Sequence, residues 1–521
     1  MAGVAARPVP EGDAMDAYTI PDVIAKNAIG QPVNAGGIAF TFDGTATSYE
    51  ELHDRATRLA HGMLAAGFAK GDRVAVLMRN RPEWIEVFFG VTRAGGVLVP
   101  LNYLLHAGEI DFILGDSSAR WIVYEEPYAE VAAELQRRNP ALRCVGVDEP
   151  AAAPLSYAGL LAARDDRRLP EVSPEDLALL QYTSGTTGQP KGAMHTHSTV
   201  LWNSYHQVSD FAVSHDDVCY VTPALCWAAG FHDLALATLW VGGRLVLTSS
   251  SFDPGQFLQA VERERVTTTL LVPTVLKRVL AAPGFGSCEL SSLRMVISGG
   301  EPVPVTSIKE MRRRLPSCSV LQVYGLSEFP TLMLLLRPED ADRKHGSTGK
   351  ACSIARVQVV DGEGKAVPPG QAGEIICKSP AVMRGYYGRP DATAVTLADG
   401  WLHTGDLATV DEEGYVFVAG RSKDMIITGG LNVYPAEVER VIAEHPAVIE
   451  AAVVGVPDEQ WGEVGRAHVV LGEDRTLTGD DLGSWLRERL ATFKVPRHYE
   501  FRSAALPRTT SGKVQKFMLS R

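Results

Sequence analysis

The 521 residues contain no disulfide framework, no basic nucleic-acid footprint and no run long enough to cross a membrane. Cysteine is scarce: Cys144, Cys219, Cys226, Cys288, Cys318, Cys352 and Cys377 are scattered, and none forms a C-x-x-C pair. An odd, dispersed set fits reduced thiols better than bridges. Basic residues are in deficit, 50 Lys and Arg against 62 Asp and Glu for a net charge of −12. That argues against a nucleic-acid binder. It leaves anionic small molecules open, because local donors and helix N-termini hold phosphate whatever the net charge. No apolar stretch approaches the ~18–20 residues of a membrane span. The opening MAGVAARPVPEGDAM has no apolar h-region and the closing LSR is not a peroxisomal address, so the expected compartment is the cytoplasm. No repeat of fixed period occurs.

Apolar residues make up 45% of the chain. A single core stops growing at roughly 250–300 residues, so at least two domains are expected. Helix and strand signals alternate in the first part. Leu52, Ala56, Leu59, Ala60, Met63 and Leu64 trace one helical face from Ser48 to Ala65. RVAVLM from Arg73 reads as a buried strand, and Pro82 opens a helix through Thr92. A helix near Phe257–Arg265 and strands Thr268–Val272 and Leu293–Ser298 repeat the pattern, which implies parallel sheets flanked by helices. Asp148 to Pro174, rich in Ala, Pro and charge, reads as a surface connection before the strand Leu177–Tyr182. After Asp399 the texture changes to tight turns and short β segments. A compact αβ tail follows, with a helix Ala436–Glu444 and a strand Ile449–Val454. The expected domains are 1–421 and 422–521.

The run Thr183-Ser184-Gly185-Thr186-Thr187-Gly188-Gln189-Pro190-Lys191-Gly192 follows a strand. Its glycines let backbone N–H groups turn inward, and its hydroxyls and lysine add donors to a concave anion site. Such a loop suits a polyphosphate, although the Walker A spacing is absent.

TSGTTGQPKG resembles the signature of the adenylate-forming superfamily, which includes acyl-CoA synthetases, peptide-synthetase adenylation domains and firefly luciferase. The resemblance runs over nearly the whole chain in the right order. It implies a large N-terminal α/β domain of parallel and mixed sheets with a small β-barrel-like subdomain, followed by a small mobile α+β domain. Tyr324-Gly325-Leu326-Ser327-Glu328 resembles the family's Y-G-x-T-E segment. On that pattern Tyr324 stacks on adenine, Ser327 contacts the α-phosphate, and Glu328 holds Mg²⁺, a hard cation suited to carboxylate oxygen. Gly299-Gly300-Glu301-Pro302 would supply backbone on the other adenine face. Thr404-Gly405-Asp406 with Arg421 matches the ribose-binding pair.

Gly420 to Pro435 resembles the hinge and thioester motif of acyl-CoA synthetases. Lys423 would be the hinge, and Gly429 and Gly430 would admit the pantetheine arm of coenzyme A. Pro507 to Lys513 resembles the family's P-x-T-x-S-G-K motif, which makes Lys513 the expected catalytic lysine. Lys516 replaces a frequent arginine. His195 and His197 share a strand face, but no third metal ligand is signalled nearby. Trp227 departs from the family's usual histidine. With Phe231, Tyr205, His206 and Phe329 it is expected to line the acid pocket.

The resemblance therefore implies an ATP-dependent acid–thiol ligase of two half-reactions. An aromatic or short- to medium-chain acid first becomes an acyl-adenylate, releasing pyrophosphate. The tail then rotates about Lys423, and coenzyme A takes the acyl group. The alternative acceptor is a carrier-protein phosphopantetheine. A luciferase-like oxygenase and a catalytically silent nucleotide binder are the other rivals. Homodimers are an assembly found among such relatives.

Overall fold

The computed structural model describes residues 18–29, 34, 36–149, 155–163, 168–183, 190–249, 251–300, 303–421, 424–429, 431–472, 475–508 and 514–519. Among them the chain forms four sheets. The amphipathic run after Ser48 becomes the helix Tyr49–Ala65, opened by a capping box. Ser48 Oγ accepts from the Glu51 amide at 3.1 Å, and Glu51 Oε2 accepts from the Ser48 amide at 3.4 Å. Its buried stripe of Leu52, Ala56, Leu59 and Met63 joins the core beside the helix Pro82–Arg93, whose leading proline sits where no N–H is needed.

One sheet runs in the spatial order Arg143–Gly146, Trp121–Tyr124, Arg73–Leu77, Val97–Pro100, Leu177–Thr183, Lys191–Thr196. Its first five strands are parallel and the last pair antiparallel. Strands covered on both faces read as unbroken apolar runs, as RVAVL and VLVP do. A larger sheet has a parallel centre of Ile38–Phe42, Arg244–Leu247, Val218–Tyr220, Thr268–Leu270, Met295–Gly299 and Ser319–Leu326. Antiparallel strands edge it: Thr45–Ser48 on one side, Phe329–Leu336 and Lys350–Ala351 on the other. One apolar core serves both sheets, with Trp84, Phe88, Leu98, Phe231 and Leu334 fully buried.

The β-rich segment is an antiparallel sheet of Arg356–Val360, Ala372–Lys378, Leu402–Val410 and Val416–Arg421. The last sheet takes all its strands from Ile426 onward. Its own core includes Val438, Ile442, Val453, Ala467, Leu482 and Leu486. Arg440 on the helix Pro435–Ala443 donates to the Gly346 carbonyl at 3.3 Å, tying this unit to the preceding one.

The stretch expected to be a plain surface connection carries a packed helix, Tyr157–Ala162. A Cβ added to Gly62 would stand 2.0 Å from the Leu160 carbonyl oxygen, so this helix lies directly on Tyr49–Ala65. The Tyr157 hydroxyl donates to buried Glu86, which Arg55 also meets at 2.8 Å. Six residues are too few to show a helical period among the surrounding Ala and Pro.

Candidate active site

The strands Leu177–Thr183 and Lys191–Thr196 pair with Thr183 opposite Lys191, which draws the two ends of the phosphate-loop motif together. Thr183 Oγ1 donates to the Lys191 carbonyl at 3.5 Å. Ser184, Gly185, Thr186, Thr187 and Gly188 lie outside the described residues, as do Glu301, Pro302, Lys423, Gly430 and Lys513.

A second segment runs alongside the hairpin. Met194 donates its amide to the Gly385 carbonyl at 2.9 Å, Arg384 donates to the Met194 carbonyl at 2.8 Å, and Tyr387 to the Gly192 carbonyl at 2.9 Å. This pairing sets the Tyr386 ring 5.0 Å from the Lys191 ammonium. The Tyr386 hydroxyl donates to Glu328 Oε1 at 2.6 Å. Burial, then the neighbouring Glu328, raises the Tyr386 phenol above its ordinary value, so it stays a donor.

Ser327 and Glu328 form the turn between Ser319–Leu326 and Phe329–Leu336. The register slips between Tyr324 and Leu326, so Gly325 sits at a bulge that re-aims this turn. Three hydrogen bonds mount the turn. The Met383 amide donates to the Glu328 carbonyl at 2.9 Å, Tyr386 holds the carboxylate, and His195 Nε2 meets the Ser327 carbonyl at 2.9 Å. A carbonyl only accepts, so Nε2 carries the hydrogen. Burial pushes the His195 imidazole down to about 4, which keeps the ring neutral.

The third part comes from the antiparallel sheet. Asp406 and Arg421 are register partners, and Arg421 Nε reaches Asp406 Oδ1 at 2.7 Å. The Tyr324 hydroxyl donates to Asp406 Oδ2 at 2.5 Å. Burial, then Asp406, raises this phenol as well. Thr404 Oγ1 donates to the Ile375 carbonyl at 2.8 Å and accepts from the Asp406 amide at 3.1 Å, fixing the carboxylate from behind. Tyr324, Asp406 and Arg421 are thus one connected group, while Lys191, Glu328 and Ser327 form a second. The single strand Ser319–Leu326 and its turn join them.

Gly300 has φ +84°, and among the described residues a Cβ there would meet no atom within 4 Å. Gly429 has φ +56°, and a Cβ there would lie 2.7 Å from the Trp461 ring. Lys516 pairs with Glu439 at 2.7 Å, within the tail.

The acid-pocket candidates separate. Phe231 is fully buried against Trp84 and Phe88, ring centroids 4.9 and 4.6 Å away, so it is a core side chain. Tyr205 is 53% exposed and edge-on to Trp202, because helical phase turns both to the outer side of His197–Asp210. The two thus lie at opposite extremes of burial. Phe329 is fully buried with its ring 6.5 Å from that of His206. His206 Nδ1 lies 3.2 Å from Asp210 Oδ2, which also accepts from the Ser353 amide and hydroxyl, each at 3.0 Å. Trp227 is partly buried, and among the described residues its indole N–H has no hydrogen-bond partner. His197 Nδ1 accepts from the Ile20 amide at 3.2 Å, away from the turn His195 serves.

Sequence reasoning missed Tyr386 and the use made of His195. His195 acts from another sheet and Tyr386 from a connecting segment on a turn more than fifty residues distant, and no local pattern signals such a partner.

The family model described as AMP-binding enzyme matches residues 31–387, and that of the AMP-binding enzyme C-terminal domain matches 437–513. The chain is 44% identical over 475 residues to a feruloyl-CoA synthase of Amycolatopsis sp, covering 91% of this chain and 93% of that protein. It is 38% identical over 486 residues to an indoleacetate–CoA ligase of Aromatoleum aromaticum, covering 92% and 94%. Among solved structures, the anthranilate CoA ligase AuaEII in complex with anthranoyl-AMP superposes with a TM-score of 0.88 at 27% identity, covering 98% of each chain.

Proposed function

The chain belongs to the AMP-binding enzyme family of adenylate-forming acyl-CoA synthetases, and we propose that the acid it activates is aromatic. It is an ATP-dependent acid–CoA ligase. The aromatic reading is supported by the two curated relatives above, whose names give a feruloyl and an indoleacetyl group. A carrier-protein acceptor is the less favoured alternative, since the chain keeps the G-G-x-N-V-Y-P text from Gly429 to Pro435.

The observation that carries the mechanism is the assembly of Lys191, Tyr386 and Glu328 beside the loop, joined by one strand to Tyr324, Asp406 and Arg421. We assign the loop at 183–192 and Lys191 to the β- and γ-phosphates and the Asp406 carboxylate to the ribose hydroxyls. Among the described residues Glu328 has no ion-pair partner, so its charge is available to a cation, and one hard donor beside a phosphate loop fits Mg²⁺. Bound there by Glu328 and phosphate oxygens, the ion would offset charge on the leaving pyrophosphate. Lys513 would lie between the acid carboxylate and the α-phosphate, stabilising charge as one carboxylate oxygen attacks phosphorus in line. We place the division at 421/422, and rotation about Lys423 would remove Lys513 and present Gly429 and Gly430 to the coenzyme A thiol. That thiol attacks the acyl carbonyl and AMP leaves.

A pyrophosphate-release screen over aryl, short, medium and long carboxylates, with and without coenzyme A, tests the reading. Aryl acids are expected to give the highest kcat/KM, with coenzyme A accelerating turnover. A preference of tenfold or more for a long aliphatic acid would remove the aromatic assignment.

A further inference from the structure

The mount of Ser327 and Glu328 assigns a role to a histidine outside the motifs. His195 projects from Lys191–Thr196, the strand that leaves the phosphate loop, in one sheet. Ser327 belongs to the turn between two neighbouring strands of the other large sheet. The 2.9 Å bond between them is a side-chain bond from the phosphate-loop hairpin directly to the turn that carries Glu328. Met383 and Tyr386 reach the same turn only through an intermediate segment.

The ring is anchored at Nε2. It is fully buried, Nε2 faces the Ser327 carbonyl, and Nδ1 lies 3.5 Å from Thr199 Oγ1. Pinning the 327 carbonyl fixes the peptide plane between Ser327 and Glu328, and with it the direction in which the Glu328 side chain leaves the backbone. A misplacement of about 1 Å at a reacting centre costs on the order of 10²-fold in rate.

We propose that His195 is a positioning residue for the adenylation half-reaction, setting the Glu328 carboxylate relative to the phosphate loop through its hydrogen bond to the Ser327 carbonyl. The proposal rests on the reading of Glu328 as the metal-holding group.

The test compares His195→Leu, which removes the donor, His195→Asn, which keeps an amide but falls short of Nε2, and His195→Gln, whose amide reaches that position. Two quantities are read: Mn²⁺ affinity by electron paramagnetic resonance in the presence of an α,β-non-cleavable ATP analogue, and the rates of the two half-reactions separately. His195→Leu and His195→Asn are expected to weaken Mn²⁺ binding about tenfold and slow adenylation about 10–100-fold. Thioester formation from supplied acyl-adenylate should change less than about threefold, and His195→Gln should recover most of both losses. If the leucine variant does not fold, the contrast between Asn and Gln decides. Wild-type Mn²⁺ affinity and adenylation in His195→Asn, or equal losses in both half-reactions, would overturn the proposal. Glu328→Gln is the control. If it binds Mn²⁺ normally, the metal reading fails and takes the proposal with it; if it binds weakly while His195→Asn is normal, only the role of His195 fails.

Discussion

Asp406 is 7% exposed, and both its oxygens are engaged, by Tyr324 and by Arg421. Each carboxylate oxygen still has a lone pair to offer, so the group can accept from a diol while its own position stays fixed. An asparagine would turn an N–H₂ toward one of two donors and remove the charge. Asp406→Asn is expected to lower kcat/KM for ATP about 10²-fold, roughly 2.7 kcal/mol, with KM for the acid little changed. Pyrophosphate release measured against ATP concentration checks this, and an unchanged kcat/KM would exclude the ribose assignment. The pairing of Asp406 with Arg421 was legible because T-G-D and Arg421 belong to an ordered set of motifs. Tyr386 was not: its role depends on the segment 383–387 lying against Lys191–Thr196, a pairing that no spacing along the chain announces.

At the level of elements, the strand ends of the larger sheet are gathered by Asp217. Its carboxylate accepts from Arg294 at 2.6 and 2.8 Å, from the Thr267 hydroxyl at 2.6 Å and from the Ser214 amide at 2.8 Å. Burial alone would raise its pKa, but Arg294, Thr267 and the Ser214 amide outweigh burial and hold the carboxyl below its ordinary value. Folded below unfolded means that this stabilisation is present above the usual carboxylate pKa of about 3.9 and is lost as pH falls through the folded value. Asp217→Asn is expected to cost about 2–3 kcal/mol at pH 7, because three donors lose a charged acceptor. In urea melts the gap from wild type should narrow below about pH 4; a gap independent of pH down to about 3 would show that the charge is not what stabilises. The strand Arg73–Leu77 could be read from the sequence because its apolar run is nearly unbroken, and the helix Tyr49–Ala65 because its apolar stripe repeats at helical spacing. The helix Tyr157–Ala162 could not, since its burial depends on Gly62 and Glu86, which belong to other helices.

For the molecule as a whole, the alternation of helix and strand signals disclosed parallel sheets flanked by helices, and the change of texture after Asp399 disclosed the short β segments and the αβ tail. The burial of the acid-pocket candidates was less legible, because helical phase and core packing sent Tyr205 outward and Phe231 inward. Those outcomes are settled by neighbours distant in sequence. In the proposed reaction an acid carboxylate attacks the α-phosphorus and coenzyme A then displaces AMP. Labelling both carboxylate oxygens of an accepted aryl acid with ¹⁸O tests this most directly, since cleavage of the adenylate by the thiol leaves the bridging oxygen on phosphorus. One ¹⁸O is expected in the AMP phosphate, and none in pyrophosphate, by mass spectrometry. Unlabelled AMP with ¹⁸O in pyrophosphate or inorganic phosphate would contradict it.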